Sequence, residues 1–335
     1  MKNRLRLGFF ILITILLVNC KHNNKNDNKN VQVDQIAVLT DKIAADPNNA
    51  ILYNSRAKLY LIANQVNNAL SDVNKAIQLN AKKPDFYITL SDIYLAMVQV
   101  DKCNDALNKA LSIDPQSTDA YTKLAELNLY LKKYEETHKY ADKAIEIDNL
   151  TSKAYFVKGL AYKEAGDSSN AVKYYMKTVE VNPEYYDAYM QLGLMFSIRK
   201  NKNSIDYFNS AINLRPKSIE AHYALGMYYQ ETGNYDAALK SYTNIIQINP
   251  KYKEAYYNSG FIYLEYLKKY DLAIKNFSDA ITNDSVYCEA FYNRGLSYEM
   301  LKDYTKARKD YKTATDLKTN YQLAIEGLNR LDKVR

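Results

Sequence analysis

The sequence predicts an all-α fold, an α-solenoid of about eight stacked helix–turn–helix units with a capping helix at each end. Two observations carry this. Eight small residues recur along the chain: Ala57, Ser91, Ala125, Gly159, Gly193, Gly226, Gly260 and Gly295, at intervals of 34, 34, 34, 34, 33, 34 and 35 residues. Such a period marks a supersecondary unit that cannot bury its apolar face alone, so neighbours stack on it in a line. Each period also contains two apolar helical periodicities separated by turn signals. In residues 221–250, AHYALGMYYQETGNYDAALKSYTNIIQINP, Tyr, Leu and Met recur up to Thr232 and Gly233 stops the first helix. A second periodicity runs from Tyr235 to Ile248, and Pro250 ends it.

The elements follow from the N-terminus. Residues 1–19 carry a basic start (Lys2, Arg4, Arg6) and an apolar run from Leu7 to Val18. A helix needs about 20 apolar residues to span a bilayer, so this run is too short and matches a cleaved secretory signal. It ends in Leu17-Val18-Asn19-Cys20. That ending resembles the lipobox of bacterial lipoproteins, in which the cysteine is diacylated and becomes the mature N-terminus. Asn19 departs from the Gly, Ala or Ser usual there, and an ordinary signal peptide with an incidental cysteine is the alternative. The resemblance implies lipidation at Cys20, with two or more acyl chains holding the protein on a bilayer. It also implies a cell-envelope location, on the periplasmic face of the outer membrane, since neither an Asp after Cys20 nor an acidic cluster redirects it. Residues 20–33 include KHNNKNDNKN, which lacks any apolar group to offset ordering, and are expected to be a disordered tether.

Residues 34–49 read as a lone N-terminal helix, half a repeat, stopped at Pro47. The eight units occupy 50–83, 84–117, 118–151, 152–185, 186–218, 219–252, 253–287 and 288–321. The fifth is one residue short at Lys200–Asn203 and the seventh one residue long near Leu267–Tyr270, both expected in turns, where length varies most cheaply. Residues 322–335 form a capping helix with Leu323, Ile325, Leu328 and Leu331 on its apolar side.

Composition narrows the chemistry. The chain has 33 Tyr, 9 Phe and no Trp, and a formal charge of +7. Three of those charges lie in the N-terminal signal, and no one-sided basic stripe is visible, so nucleic acid is not an expected partner. Cys103 reads as a small buried hydrophobe, and Cys288 lies too many repeats away to bridge it. His22, His138 and His222 are scattered, and no nucleophile elbow, zinc helix or phosphate loop occurs. No catalytic residue, metal or cofactor is expected.

The units carry an aromatic slot (Tyr53, Tyr87, Tyr121, Tyr155, Tyr189, His222, Tyr256, Phe291) followed by the small residue. A Tyr or Phe comes next (Tyr60, Tyr94, Tyr162, Phe196, Tyr229, Tyr263, Tyr298; Asn128 is the exception), then small residues in the second helix and a terminal proline in several units. This pattern resembles the tetratricopeptide repeat over about 270 residues. The resemblance implies a right-handed solenoid whose first helices line an inner groove, where a protein partner binds. Groove positions then hold Phe156 and Leu160, Met190 and Leu194, Tyr223 and Met227, Tyr257 and Phe261, and Tyr292 and Leu296. In the first three units they hold Asn54 and Lys58, Ile88 and Asp92, and Thr122 and Glu126, so the groove turns from polar to aromatic along the chain. These residues either receive an extended peptide or partner helix or simply pack neighbouring helices together. Asn258 and Asn293 are groove candidates too: they match asparagines of the family's carboxylate clamp, but Glu254 and Glu289 stand where that clamp needs a cation, so the full clamp is not expected. The implied role is a membrane-anchored interaction scaffold of the bacterial envelope that is not an enzyme. The alternative is a glycan- or small-ligand-binding lipoprotein of an uptake system, against which the lack of Trp counts.

Overall fold

The computed structural model describes residues 25–333, with side chains from 34 onward; the expected signal segment and Cys20 lie outside the described residues. The described residues are all helical, without strands. In order they form α1 (Lys25–Ala45), α2 (Ala50–Ile62), α3 (Val66–Leu79), α4 (Pro84–Ala96), α5 (Val100–Ile113), α6 (Thr118–Tyr130), α7 (Tyr134–Ile147), α8 (Ser152–Glu164) and α9 (Ser168–Val181). A second series follows: α10 (Tyr186–Ile198), α11 (Asn203–Leu214), α12 (Ile219–Glu231), α13 (Tyr235–Ile248), α14 (Lys253–Phe261), a π-helical turn (Ile262–Tyr266), α15 (Tyr270–Asn283), α16 (Cys288–Met300), α17 (Tyr304–Leu317) and α18 (Gln322–Leu331). The helices gather into two compact units divided after Pro183, and each is described by itself.

One contact explains the period in both units. From the fourth repeat onward, a buried ring on the second helix lies against the small residue of the first. A methyl group added at Gly159 would sit 2.7 Å from the Tyr175 ring, and at Gly193 2.5 Å from Phe208. Gly226 faces Tyr242, Gly260 faces Phe277 and Gly295 faces Tyr311 in the same way, at 2.8, 2.9 and 3.0 Å. All five rings are wholly buried. The small residue is therefore a space requirement, since a side chain there would drive the two backbones apart. The aromatic slot also has a polar duty. Tyr53, Tyr87 and Tyr256 hydroxyls donate to the carbonyls of Pro47, Ala81 and Pro250, six residues upstream, and the His222 Nε2 sits 3.1 Å from the Pro216 carbonyl.

The first helix of every unit ends on a left-handed residue: Asn64, Val98, Lys132, Gly166, Lys200, Gly233, Lys268 and Lys302. The next N–H bonds back across the helix end, as Gln99 does to the Tyr94 carbonyl at 2.8 Å and Asn234 to that of Tyr229 at 2.8 Å. Only two of these eight stops are glycine. Val98 is the least suited, because a β-branched side chain at φ 58° is strained, and the side chain is 70% exposed and gains little from packing. Val98→Gly is expected to raise stability by about 1 kcal/mol, read as a higher urea midpoint; a lower midpoint would refute the strain.

Three expectations are corrected here. The extra residue of the seventh unit does not enlarge the turn, which keeps three residues, Leu267–Lys269. It widens the end of the first helix into the π turn, with Leu267 N–H bonding the Ile262 carbonyl at 3.1 Å. The stop is otherwise conserved: Lys269 N–H bonds the Tyr263 carbonyl at 2.8 Å, and Tyr266 swings out to stack on Tyr235 at 4.4 Å. Second, α1 begins at Lys25, so the later part of the segment expected as tether is helical. No Gly or Pro interrupts residues 25–45, and a helix once nucleated propagates through polar residues at little cost. Third, α18 buries Ala324, Gly327 and Leu331, and Leu323 is exposed. Gly327 is one more packing slot: a methyl there would lie 2.6 Å from the far edge of the Tyr311 ring.

Ion pairs tie consecutive helices within each unit. Arg56 grips Asp72 with two bonds of 2.7 and 2.8 Å and reaches Thr40 Oγ1 at 3.0 Å. Arg294 repeats the arrangement with Asp310, at 2.7 and 2.8 Å, and with Ser278 at 3.0 Å.

Candidate interaction face

In the first compact unit, the face of the first helices is polar and closed on itself. Lys123 pairs with Asp92 at 2.6 Å and lies 3.7 Å from Glu126, which pairs with Lys153 at 2.9 Å. Asn54 and Thr122 are buried. Phe156 is half-buried against Tyr175, ring centres 5.6 Å apart, and Leu160 packs against the cluster around Ala161.

In the second unit the face is aromatic. Met190 departs from expectation: it is 3% exposed, wedged into the core among Tyr186, Phe208 and Leu225, and Leu194 leans on the same cluster. An unbranched thioether fills such an irregular gap readily. From residue 219 onward a triad of rings repeats. Tyr223 contacts Tyr242 at 6.1 Å and meets Tyr252 edge-on at 6.2 Å. Tyr257 contacts Phe277 at 5.7 Å and stacks on Tyr287 at 5.0 Å. Tyr292 contacts Tyr311 at 5.7 Å and meets Tyr321 edge-on at 5.6 Å. Met227, Phe261 and Leu296 lie half-buried one helical turn further along. The position-specific reading missed Tyr252, Tyr287 and Tyr321. Their own spacing of 35 and 34 residues was the signal, but they close each unit just ahead of the next helix, outside the helical pattern.

Asn258 and Asn293 do not face outward as clamp residues. Each amide crosses to the preceding first helix and donates to a phenol, Asn258 Nδ2 to Tyr223 at 3.2 Å and Asn293 Nδ2 to Tyr257 at 2.9 Å. Asn293 is 6% exposed. Burial pushes the Tyr252 and Tyr257 phenols up to about 12, with the nearby carboxylates of Glu254 and Glu289 adding to it, and pushes Tyr287 and Tyr321 upward too. These four phenols are therefore neutral and hydrogen-bond competent at physiological pH. At its start, Arg215 lies 3.9 Å above the Tyr186 ring, and burial raises the carboxyls of Asp187 and Glu220 against the opposing pull of that guanidinium.

The remaining reactive groups are quiet. Cys103 and Cys288 are buried free thiols raised by burial to about 11, far from the thiolate form a nucleophile needs. Among the described residues no cluster of His, Cys, Asp and Glu could hold a metal ion, and no helix is long and apolar enough to cross a membrane.

Comparison with known proteins agrees with the geometry. Family models described as tetratricopeptide repeat match residues 84–117, 152–185, 219–252, 253–287 and 288–321, together just over half of the chain. No curated protein sequence matches it. Among solved structures, the C-terminal part of a TPR repeat-containing protein from Cytophaga hutchinsonii is similar, with TM-score 0.62 and 21% identity, covering 71% of this chain and 98% of that one. A Pseudomonas aeruginosa protein, pilF, is similar with TM-score 0.52 and 15% identity, covering 60% of this chain and 92% of that one. At these identities both likenesses concern the fold.

Proposed function

This chain belongs to the tetratricopeptide-repeat family, and from that premise we propose that it is a membrane-anchored scaffold of the bacterial envelope. It holds a peptide or helix of another envelope protein in the groove lined by its first helices. The fold is typically a non-catalytic one for protein interaction, offering extended surface in place of an enclosed pocket. One observation carries the reading: the half-buried ladder of tyrosines from Tyr223 to Tyr321, on or just ahead of the helices that line the family's groove. Core packing is already supplied by Tyr242, Phe277 and Tyr311, so the ladder is a second aromatic layer. Tyrosine offers large rigid contact area with few rotatable bonds, which is why interfaces favour it. Anchoring rests on Cys20 and the apolar run before it.

A photo-crosslinking residue at Tyr257, in the cells that make the protein, is expected to trap a few defined envelope proteins. The same probe at Lys312, exposed on a second helix, should not trap them. Equal or empty patterns at the two sites would overturn the groove reading. In the same cells Cys20→Ala is expected to move the protein from the membrane to the soluble fraction; unchanged retention would remove the anchor.

A further inference from the structure

The chain enters the first compact unit from one particular edge. α1 packs on α2 as each second helix packs on the first helix of the next repeat. It ends at Ala45, and the Tyr53 hydroxyl donates to the Pro47 carbonyl just as Tyr87 donates to that of Ala81 after α3. Its start therefore lies at the opposite edge, with the turns that follow the first helices, 63–65, 97–99 and 131–133. α1 has 21 residues where α3, α5 and α7 have 14, and at about 1.5 Å per residue the difference carries its start about 10 Å further out. Cys20 precedes Lys25 by five residues, a span of at most about 18 Å. That reach exceeds the overhang, so an anchor at Cys20 can lie level with these turns.

The three turns nearest α1 carry protruding apolar side chains. Ile62 is 65% exposed, Val98 70%, Tyr130 43% and Leu131 36%. The next turn, residues 164–167, reads Glu-Ala-Gly-Asp and carries none. On the opposite edge the turns expose no large apolar side chain until Leu150, although Ile51 is exposed where α2 begins. Val98 keeps a β-branched side chain at φ 58°, a strain that packing hardly offsets. Lys132 and Lys133 are exposed beside Leu131, and Glu135 and Glu136 open the following helix, so the edge is apolar and mixed in charge rather than basic. Side chains this exposed stand out from the surface and line no groove, and a rigid partner would need a socket for each. A bilayer interface yields to them. Tyr and Lys suit its headgroup layer, where the phenol and ammonium tips stay wet.

We propose that the edge formed by Ile62, Val98, Tyr130 and Leu131 rests on the lipid surface that carries the anchor. Its apolar tips enter the boundary between headgroups and acyl chains, and Lys132 and Lys133 reach lipid phosphates. This goes beyond the groove reading and rests on the anchoring one. The overhanging start of α1 reads KNDNKN, a composition that suits the headgroup layer. Resting on an edge leaves both faces of the unit in solvent, so a protein partner and the bilayer do not compete.

The protein purified with its acyl chains, placed in vesicles of phosphatidylethanolamine and phosphatidylglycerol, tests it. An environment-sensitive dye is attached at Val98→Cys in one sample and at Leu150→Cys, equally exposed on the opposite edge, in another; Cys103 and Cys288 are buried and do not compete for it. The dye at Val98→Cys is expected to shift to the blue and to be quenched by brominated acyl chains at least about threefold more than the dye at Leu150→Cys. Adding Ile62→Ser and Leu131→Ser, checked for unchanged circular dichroism, is expected to cut that quenching to roughly half. Equal quenching at the two sites, quenching indifferent to the two serines, or water-like spectra from a protein that stays with the vesicles would overturn the edge and leave the anchor standing. A shift at Val98→Cys in native membranes that is missing in lipid-only vesicles would assign the edge to a protein and overturn the bilayer. Protein that does not stay with the vesicles at all would remove the anchor and the edge together.

Discussion

Arg294→Met is expected to destabilise the second compact unit by roughly 3–5 kcal/mol, the usual result of stripping one partner from a buried ion pair. Asp310 is 4% exposed and receives two bonds from this guanidinium, at 2.7 and 2.8 Å. Methionine fills much of the volume and supplies no charge, so the carboxylate is left dry and unpaired. The same guanidinium reaches Ser278 at 3.0 Å, so a single side chain on α16 ties α15 to α17. Amide hydrogen exchange should show α15–α17 losing protection together. Pairing the change with Asp310→Leu should recover more than half of the loss, because the stranded charge is removed with its partner. A single variant as stable as the parent would mean that the pair is solvated.

Tyr311→Ala is expected to lose about 3–5 kcal/mol, as large-to-small changes at filled core positions do. The ring is wholly buried, with Gly295 against one edge and Gly327 against the other. Its hydroxyl donates to Glu299 at 2.5 Å, and Arg330 from α18 holds the same carboxylate. Removing the ring opens a cavity that the glycines cannot fill and cuts the tie to the last helix. Exchange protection should vanish in α18 before any other helix, because terminal elements of a repeat array are held by one neighbour only. Tyr311→Phe keeps the ring and should lose about 1–2 kcal/mol. Unaltered protection of α18 in the alanine variant would show that the ring does not hold the end of the array.

The repeat was legible because its cause is local and chemical. A ring needs a residue without bulk opposite it, and Gly159 to Gly295 advertise that need in the last five repeats. Gly327 escaped the pattern because it follows Gly295 by 32 residues, yet it meets the same ring from the other side. The phenol partners of Asn258 and Asn293 were not legible because they sit 35 and 36 residues away, on a neighbouring helix that sequence spacing cannot place. Met190 was assigned to an open face when its flexible chain serves the core. The helical start at Lys25 was hidden by a composition that reads as tether, and a polar run gives no sign of whether a helix downstream extends into it.

The widened turn at Ile262–Tyr266 bears on how such arrays change over evolutionary time. A single inserted codon in a strand would flip every later side chain to the wrong side of its sheet. Here the surplus residue is taken up within one coil, the closing bond still lands on Tyr263, and Tyr292 arrives on the same side as Tyr257. The error stays where it arises, so a unit can take up a residue while the spacing of its aromatic rungs is kept.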